Sequence, residues 1–278
     1  MNKVLMCEYL DIDTVFQVGS HYYAKNFVRD GDSIEWINQP KPFFNKNLES
    51  VKVINEKIRV INPKVFLPFC KYPLLNTRYW ANNYLKPFVN KQVTLQEVDL
   101  LWMTNVKMMK LADSIKYGKM VHRMADDFSG FSGAYKNMLY LQKEVIRKSD
   151  AVLVSAKNLV DIAYKENKNV LYLPNGVDIT RFNNSSNNEI PKEYENINGP
   201  KVVYVGAIED WFDYNLILNT AKKLKDISFI MVGNKSAKSE EIFKGQSNIH
   251  LLGKKTHDEI VSYLHYADIG IMPFIDNK

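Results

Sequence analysis

The sequence predicts an α/β protein of two Rossmann-like, doubly wound parallel-sheet domains, the second of them incomplete. Three observations carry this. Short runs rich in Val, Ile, Leu and Phe recur along the chain, as strands buried on both faces of a parallel sheet require. Helix-length amphipathic segments separate them. One polar, Asn-rich stretch, residues 183–200, contains Pro191, Gly199 and Pro200 and cannot bury a core. It reads as a linker between an N-terminal domain, 1–182, and a C-terminal domain, 201–278.

In the first domain the predicted strands are residues 3–7, 33–37, 65–69, 98–103, 119–124, 151–154 and 170–173. In the second they are 202–205, 229–232, 249–252 and 269–272. Helices are predicted over 22–28, where Ser20 is a candidate cap, over 134–148, where Met138, Leu141 and Val145 share a face, and over 256–267. The last opens with Thr256 and Glu259 at capping-box spacing. The final residues, Pro273-Phe274-Ile275-Asp276-Asn277-Lys278, follow a strand directly. A doubly wound sheet normally sends its last strand into a covering helix, so the second domain reads as shortened.

Composition narrows the function. Of 278 residues 46% are hydrophobic and 24% charged, which excludes collagen, a coiled coil and wholesale disorder. The net charge of +6 favours anionic partners. Two cysteines, Cys7 and Cys70, read as buried thiols and exclude a disulfide framework or a Cys-based zinc site. No apolar run reaches the ~18 residues of a membrane span. The N-terminus reads as a first strand instead of a signal peptide, and a cytoplasmic location is the expectation. No G-x-G-x-x-G, P-loop, H-E-x-x-H or G-x-S-x-G occurs, and the five histidines lack metal-ligand spacing. Asp11-Ile12-Asp13 is the one pair that suggests a divalent ion; two neighbouring Asp are common by chance, and no metal or other cofactor is expected.

Four segments carry more. Leu173-Pro174-Asn175-Gly176-Val177-Asp178 reads as a strand end followed by an Asn-Gly turn needing positive φ. Val202-Val203-Tyr204-Val205-Gly206-Ala207 and Phe229-Ile230-Met231-Val232-Gly233 are buried strands ending in glycine. Asn248-Ile249-His250-Leu251-Leu252-Gly253-Lys254 precedes the capped helix and the run Tyr266-Ala267-Asp268-Ile269-Gly270-Ile271-Met272-Pro273. In this order and spacing they resemble the GT-B glycosyltransferases, above all the family 4-like group of bacterial surface-polysaccharide synthesis. The stretch His122-Arg123-Met124-Ala125-Asp126-Asp127-Phe128-Ser129-Gly130-Phe131, with Trp211-Phe212-Asp213, is similar to the teichuronic-acid-type transferases and related exopolysaccharide glucuronosyltransferases.

The resemblance implies a cleft between two domains, a nucleotide-sugar donor on the C-terminal side and a saccharide or lipid-linked acceptor on the N-terminal side. Gly206, Ala207, Gly233, Gly253 and Lys254 would lie against the donor. Gly19, Ser20, His21 and His122 would face the acceptor or the phosphates. Asp126 and Asp127 follow a strand, at its carboxyl end, where a carboxylate can deprotonate an acceptor hydroxyl. A helix cap is the competing role for these aspartates, a core position for His122, and a plain turn for each glycine.

Two departures stand out. Where the family places Arg and Lys after the first glycine strand, this chain has Glu209-Asp210-Trp211, and it contains no Glu-x7-Glu. A shortened, non-catalytic homologue acting as a binding partner is therefore the alternative to an enzyme. Residues 71–91 mix Tyr72, Tyr79, Trp80, Tyr84 and Phe88 with Lys71, Arg78, Lys86 and Lys91. Such a mixture suits either a helix packed on the sheet or a surface lying on the inner leaflet of the membrane. No nucleic-acid-binding motif is present.

Overall fold

A computed structural model describes residues 1–14, 17–44, 49–65, 97–130, 136–177 and 189–276, with Ile179 and Phe182. The chain divides into two units, Met1–Gly176 and Val177–Lys278. The first is built on strands β1 (Lys3–Cys7), β2 (Ser33–Ile37), β3 (Lys41–Pro42), β4 (Val51–Asn55), β5 (Ile58–Ile61), β6 (Lys64–Val65), β7 (Val98–Met103), β8 (Tyr117–Met124), β9 (Ala151–Val154) and β10 (Val170–Tyr172). Eight of these form one sheet in the order β10-β9-β8-β7-β1-β2-β5-β4. All of its pairings are parallel except β4 with β5; β3 and β6 pair separately.

Both sheet faces are covered, as continuous apolar strands demand. On one face Val4, Met6, Trp36 and Trp102 pack against Ala24 of helix α1 (Gly19–Arg29). On the other, Leu5, Cys7, Leu101, Met103 and Met120 pack against Met138, Leu141 and Val145 of the helix Lys136–Lys148. Each such fully buried side chain contributes about 1.5–3 kcal/mol by removal from water. Cys7 is buried as expected. Cys70 and the residue 71–91 segment lie outside the described residues.

The second unit holds β11 (Lys201–Val205), β12 (Ser228–Val232), β13 (Ile249–Gly253) and β14 (Ile269–Gly270), parallel, in the order β13-β12-β11-β14. Val202, Tyr204, Phe229 and Met231 bury one face under Ile217 and Ala221 of the helix Tyr214–Lys223. Asp213 caps that helix through Oδ1, which accepts the Leu216 N–H at 2.9 Å. Val203, Ile230 and Val232 bury the other face. The capping box at Thr256 and Glu259 forms, with the Thr256 N–H donating to Glu259 Oε2 at 2.7 Å.

Three expectations change. The hairpin β4–β5 was not predicted: Val51-Lys52-Val53-Ile54-Asn55 is an exposed edge strand, and Lys52 and Asn55 interrupt the apolar run that marks a doubly buried strand. Its turn is set by Asn55 Oδ1, which accepts the N–H groups of Lys57 and Ile58, each at 2.9 Å. The division after Gly176 falls ahead of the expected boundary. Within the expected linker, 183–188 lie outside the described residues, whereas Tyr194 and Ile197 are buried in the second unit's core beside Tyr263. Tyr194 donates to the Tyr263 carbonyl at 2.9 Å, and Lys255 pairs with Glu193 at 2.5 Å. The apolar Tyr and Ile among the Asn residues decide this. Finally, Gly176 does not adopt positive φ. The Asn175 side chain is held by Arg123 instead of closing a turn on its own backbone.

Candidate functional site

Ligands of open parallel sheets bind outside the carboxyl ends of the strands, where the strand order reverses. In the first unit that point lies between β1 and β7. The residues immediately after these strands are Glu8-Tyr9 and Thr104-Asn105.

Glu8 is 2% exposed. Thr104 Oγ1 donates to its Oε1 at 3.0 Å, and the Ser20 hydroxyl hydrogen-bonds the same carboxyl. Burial pushes the Glu8 carboxyl up to about 8, against the lowering effect of those hydroxyls and of the Arg123 charge. The carboxyl is therefore a neutral acid near pH 7. Arg123, also buried, gives its guanidinium Nη2 to Asn175 Oδ1 at 2.5 Å and lies over the Tyr23 ring at 5.4 Å. A Cβ on Gly19 would sit 3.1 Å from that Nη2, so glycine there lets α1 start beside the guanidinium.

The expected site residues fall in place as follows. Helix α1 begins at Gly19, earlier than residue 22, so Ser20 lies inside the first turn and buried, not at the cap. His21 Nδ1 accepts the Val18 N–H at 3.1 Å, which leaves Nε2 to donate to the Asp11 carbonyl at 3.2 Å. Its ring thus ties the helix start to the loop after β1, and burial lowers its pKa. His122 is buried in β8; Nδ1 donates to the Met103 carbonyl at 2.7 Å, while Nε2 has no partner among the described residues. Burial lowers it to about 4.

The two aspartates after β8 differ. Asp127 accepts the Ser129 N–H at 2.9 Å and the Ser129 hydroxyl at 2.6 Å, and so caps the turn Phe128–Gly130. The Asp126 carboxylate has no hydrogen-bond or ion-pair partner among the described residues and keeps an open face to solvent. Its crowded surroundings raise its pKa, and the Arg123 charge opposes that rise. An accessible, unengaged carboxyl with a raised pKa has the properties of a general base.

In the second unit the expected glycines meet at the carboxyl edge. The Gly206 N–H donates to the Val232 carbonyl and the Gly233 N–H to the Gly253 carbonyl, each at 2.9 Å. A Cβ on Gly233 would collide with the Gly206 carbonyl oxygen, and one on Gly206 would lie 2.5 Å from the Tyr204 hydroxyl. Gly253 has φ +76°, a conformation that favours glycine. The Ala207 carbonyl accepts the Tyr204 hydroxyl at 2.8 Å, and Lys254 is exposed. Trp211, Glu209 and Asp210 are exposed at the same edge, and Phe212 bridges Phe274. Among the described residues no three His, Cys, Asp or Glu side chains gather as a metal site.

Sequence reading missed Glu8, Thr104, Arg123 and Asn175 as one group. The available signal was a glutamate directly after the apolar run that forms β1.

No protein-family model and no curated protein sequence matches the chain. Solved structures do. Sucrose-phosphate synthase from Thermosynechococcus elongatus superposes with TM-score 0.73 at 13% identity, covering 97% of this chain and 75% of that one. Anabaena HepE, solved with UDP and glucose, gives 0.64 at 12%, with 97% and 73% covered. A glycosyltransferase from Rickettsia africae gives 0.58 at 16%, with 97% and 72% covered. At these identities the likeness shows the fold: the chain is built as the GT-B glycosyltransferases are.

Proposed function

We propose that the chain is a glycosyltransferase that moves a sugar from a nucleotide-sugar donor to a hydroxyl of a saccharide acceptor. The observation that carries this is the glycine edge of the second unit. Three consecutive parallel strands end in glycines packed backbone to backbone, on a fold shared with HepE solved with UDP and glucose. Glycine lets these strand ends pack this closely, and ligands of open parallel sheets bind outside such a carboxyl edge.

In this reading Asp126 takes the proton from the acceptor hydroxyl. The freed oxygen attacks the anomeric carbon, and the carbon–oxygen bond to the nucleoside diphosphate breaks with its electron pair leaving on the phosphate. Asp127 holds the loop that presents Asp126. No metal takes part. A lipid-linked acceptor, a role in bacterial surface polysaccharide synthesis and a cytoplasmic enzyme resting on the inner membrane face extend the proposal. Their support is the resemblance of residues 122–131 and 211–213, and the basic and aromatic composition of residues 71–91. No helix among the described residues is long and apolar enough to cross a membrane.

The test is nucleoside diphosphate release from UDP- and GDP-sugars, with and without saccharide acceptors, for wild type, Asp126→Asn and Asp127→Asn. Acceptor-dependent release abolished in Asp126→Asn supports the reading. Donor binding without turnover would favour a non-catalytic homologue, the alternative that Glu209 and Asp210 at the donor edge suggest.

A further inference from the structure

The loop after β13 is tied to the segment that precedes β11. Glu193 lies in the short helix Lys192–Glu195. Its Oε1 accepts from the Lys255 ammonium at 2.5 Å, and its Oε2 accepts the Tyr263 hydroxyl at 2.7 Å. We propose that Glu193 is a positioning residue for the donor: with Tyr263 it holds Lys255, and through Lys255 the loop 253–256, in the shape that meets the sugar nucleotide. That this loop meets a sugar nucleotide rests on the transferase reading above; that Glu193 holds it stands on the contacts alone.

An exposed ion pair contributes little, because two mobile side chains must be held in one geometry. This pair differs. Both carboxylate oxygens are engaged, the Lys255 side chain is only 17% exposed, and its ammonium lies over the Tyr263 ring at 5.3 Å. The carboxylate also stands on a fixed platform, since its neighbour Tyr194 is buried and donates to the Tyr263 carbonyl. The Lys255 ammonium, and after it the Tyr263 hydroxyl, hold the Glu193 carboxyl down to about 2. The pair therefore stays ionised near neutral pH, as a permanent clamp.

The loop it holds is short and fixed at both ends. Gly253, at φ +76°, gives its carbonyl to the Gly233 N–H. Thr256 caps the helix His257–His265 through its box with Glu259. Only Lys254 and Lys255 remain to be placed between them. Lys255 turns toward Glu193. Lys254 is exposed and has no hydrogen bond or ion pair among the described residues. Two adjacent lysines thus take opposite parts: one charge is neutralised within the fold, and the other is presented beside the glycine edge. Without Glu193 both ammonium groups compete for solvent, and the loop loses its one side-chain anchor between Gly253 and Thr256.

The experiment compares the whole chain carrying Glu193→Gln or Lys255→Met with wild type and with Ile197→Ala. Ile197 is buried in the same segment, so its truncation loosens that segment and leaves the ion pair intact. Amide hydrogen exchange of residues 253–255, thermal melting and calorimetric titration with UDP- and GDP-sugars are the readouts. In Glu193→Gln and Lys255→Met, exchange at 253–255 is expected to quicken about tenfold or more, and the affinity for a sugar nucleotide to fall by a similar factor. Ile197→Ala is expected to lower the melting temperature and to change neither. Tyr263→Phe, which removes one hydroxyl from the carboxylate, serves as a further variant should Glu193→Gln fail to fold.

Unchanged exchange at 253–255 in the folded variants overturns the proposal, as does quickened exchange with wild-type affinity for the sugar nucleotide. Equal weakening by Ile197→Ala overturns it too, because the pair would then only staple the segment to the core. Quickened exchange in a chain whose wild type binds no sugar nucleotide retains the clamp and removes the transferase reading. Sugar-nucleotide binding with unchanged exchange removes the clamp alone.

Discussion

Thr104 Oγ1 donates to Glu8 Oε1 at 3.0 Å across the ends of β7 and β1, linking residues 96 positions apart at the point where the strand order reverses. The carboxyl it holds is buried and raised to about 8 from an ordinary 4.5. Such a group stabilises the fold fully below pH 4.5, and the contribution is lost as pH rises toward 8, because the unfolded chain ionises first. At roughly 1.4 kcal/mol per pH unit the loss amounts to a few kcal/mol. Glu8→Gln keeps the shape without the ionisation. Its unfolding free energy, measured by urea titration, is expected to stay flat between pH 6.5 and 8 where that of wild type falls. A wild-type slope that persists in Glu8→Gln contradicts this.

His122 gives the opposite slope. Its pKa is depressed from 6.5 to about 4 by burial, so the unfolded chain takes up the proton first and stability is lost as pH falls from 6.5 toward 4. His122→Asn retains an N–H for the Met103 carbonyl. Its acid limb is expected to be shallower than that of wild type in the same titrations. The two groups oppose each other between pH 4.5 and 6.5, which is why Glu8 is read above that window.

Gly233→Ala places a methyl group on the Gly206 carbonyl oxygen. The strand ends must part, at a cost of about 1–3 kcal/mol. Thermal melting is expected to report that loss, and UDP-sugar binding to disappear. Gly245→Ala, at an open position with positive φ, controls for backbone strain: it is expected to destabilise the protein by about 1 kcal/mol and to leave binding intact.

Tyr194→Ala distinguishes a linker from a core element. A linker residue tolerates alanine. Tyr194 is buried against Tyr263 with its ring edge-on at 5.4 Å, so truncation is expected to cost roughly 3 kcal/mol and to lower the melting temperature.

The sequence made the strands legible wherever both faces are buried. Predicted strands at 3–7, 33–37, 98–103 and 151–154 match β1, β2, β7 and β9 residue for residue. The β4–β5 hairpin escaped because Lys52, Asn55 and Arg59 interrupt its apolar residues. The strand-end positions of Gly206, Gly233 and Gly253 were readable, since a glycine closing a buried strand has a local reason to be there. The Glu8 group was not, because its members come from the loops after β1 and β7, from α1 and β8, and from the segment after β10, and only the sheet order brings them together. Asn175 shows the same limit: next to Gly176 it reads as a turn, and only the fold reveals Arg123 as its partner.

The most direct measurement is calorimetric titration of wild type and Gly233→Ala with a panel of UDP- and GDP-sugars. A nucleotide-sugar transferase of this design binds at least one of them saturably, at about one per chain, and loses it in Gly233→Ala. No heat with any sugar nucleotide, or equal binding by the variant, would contradict it.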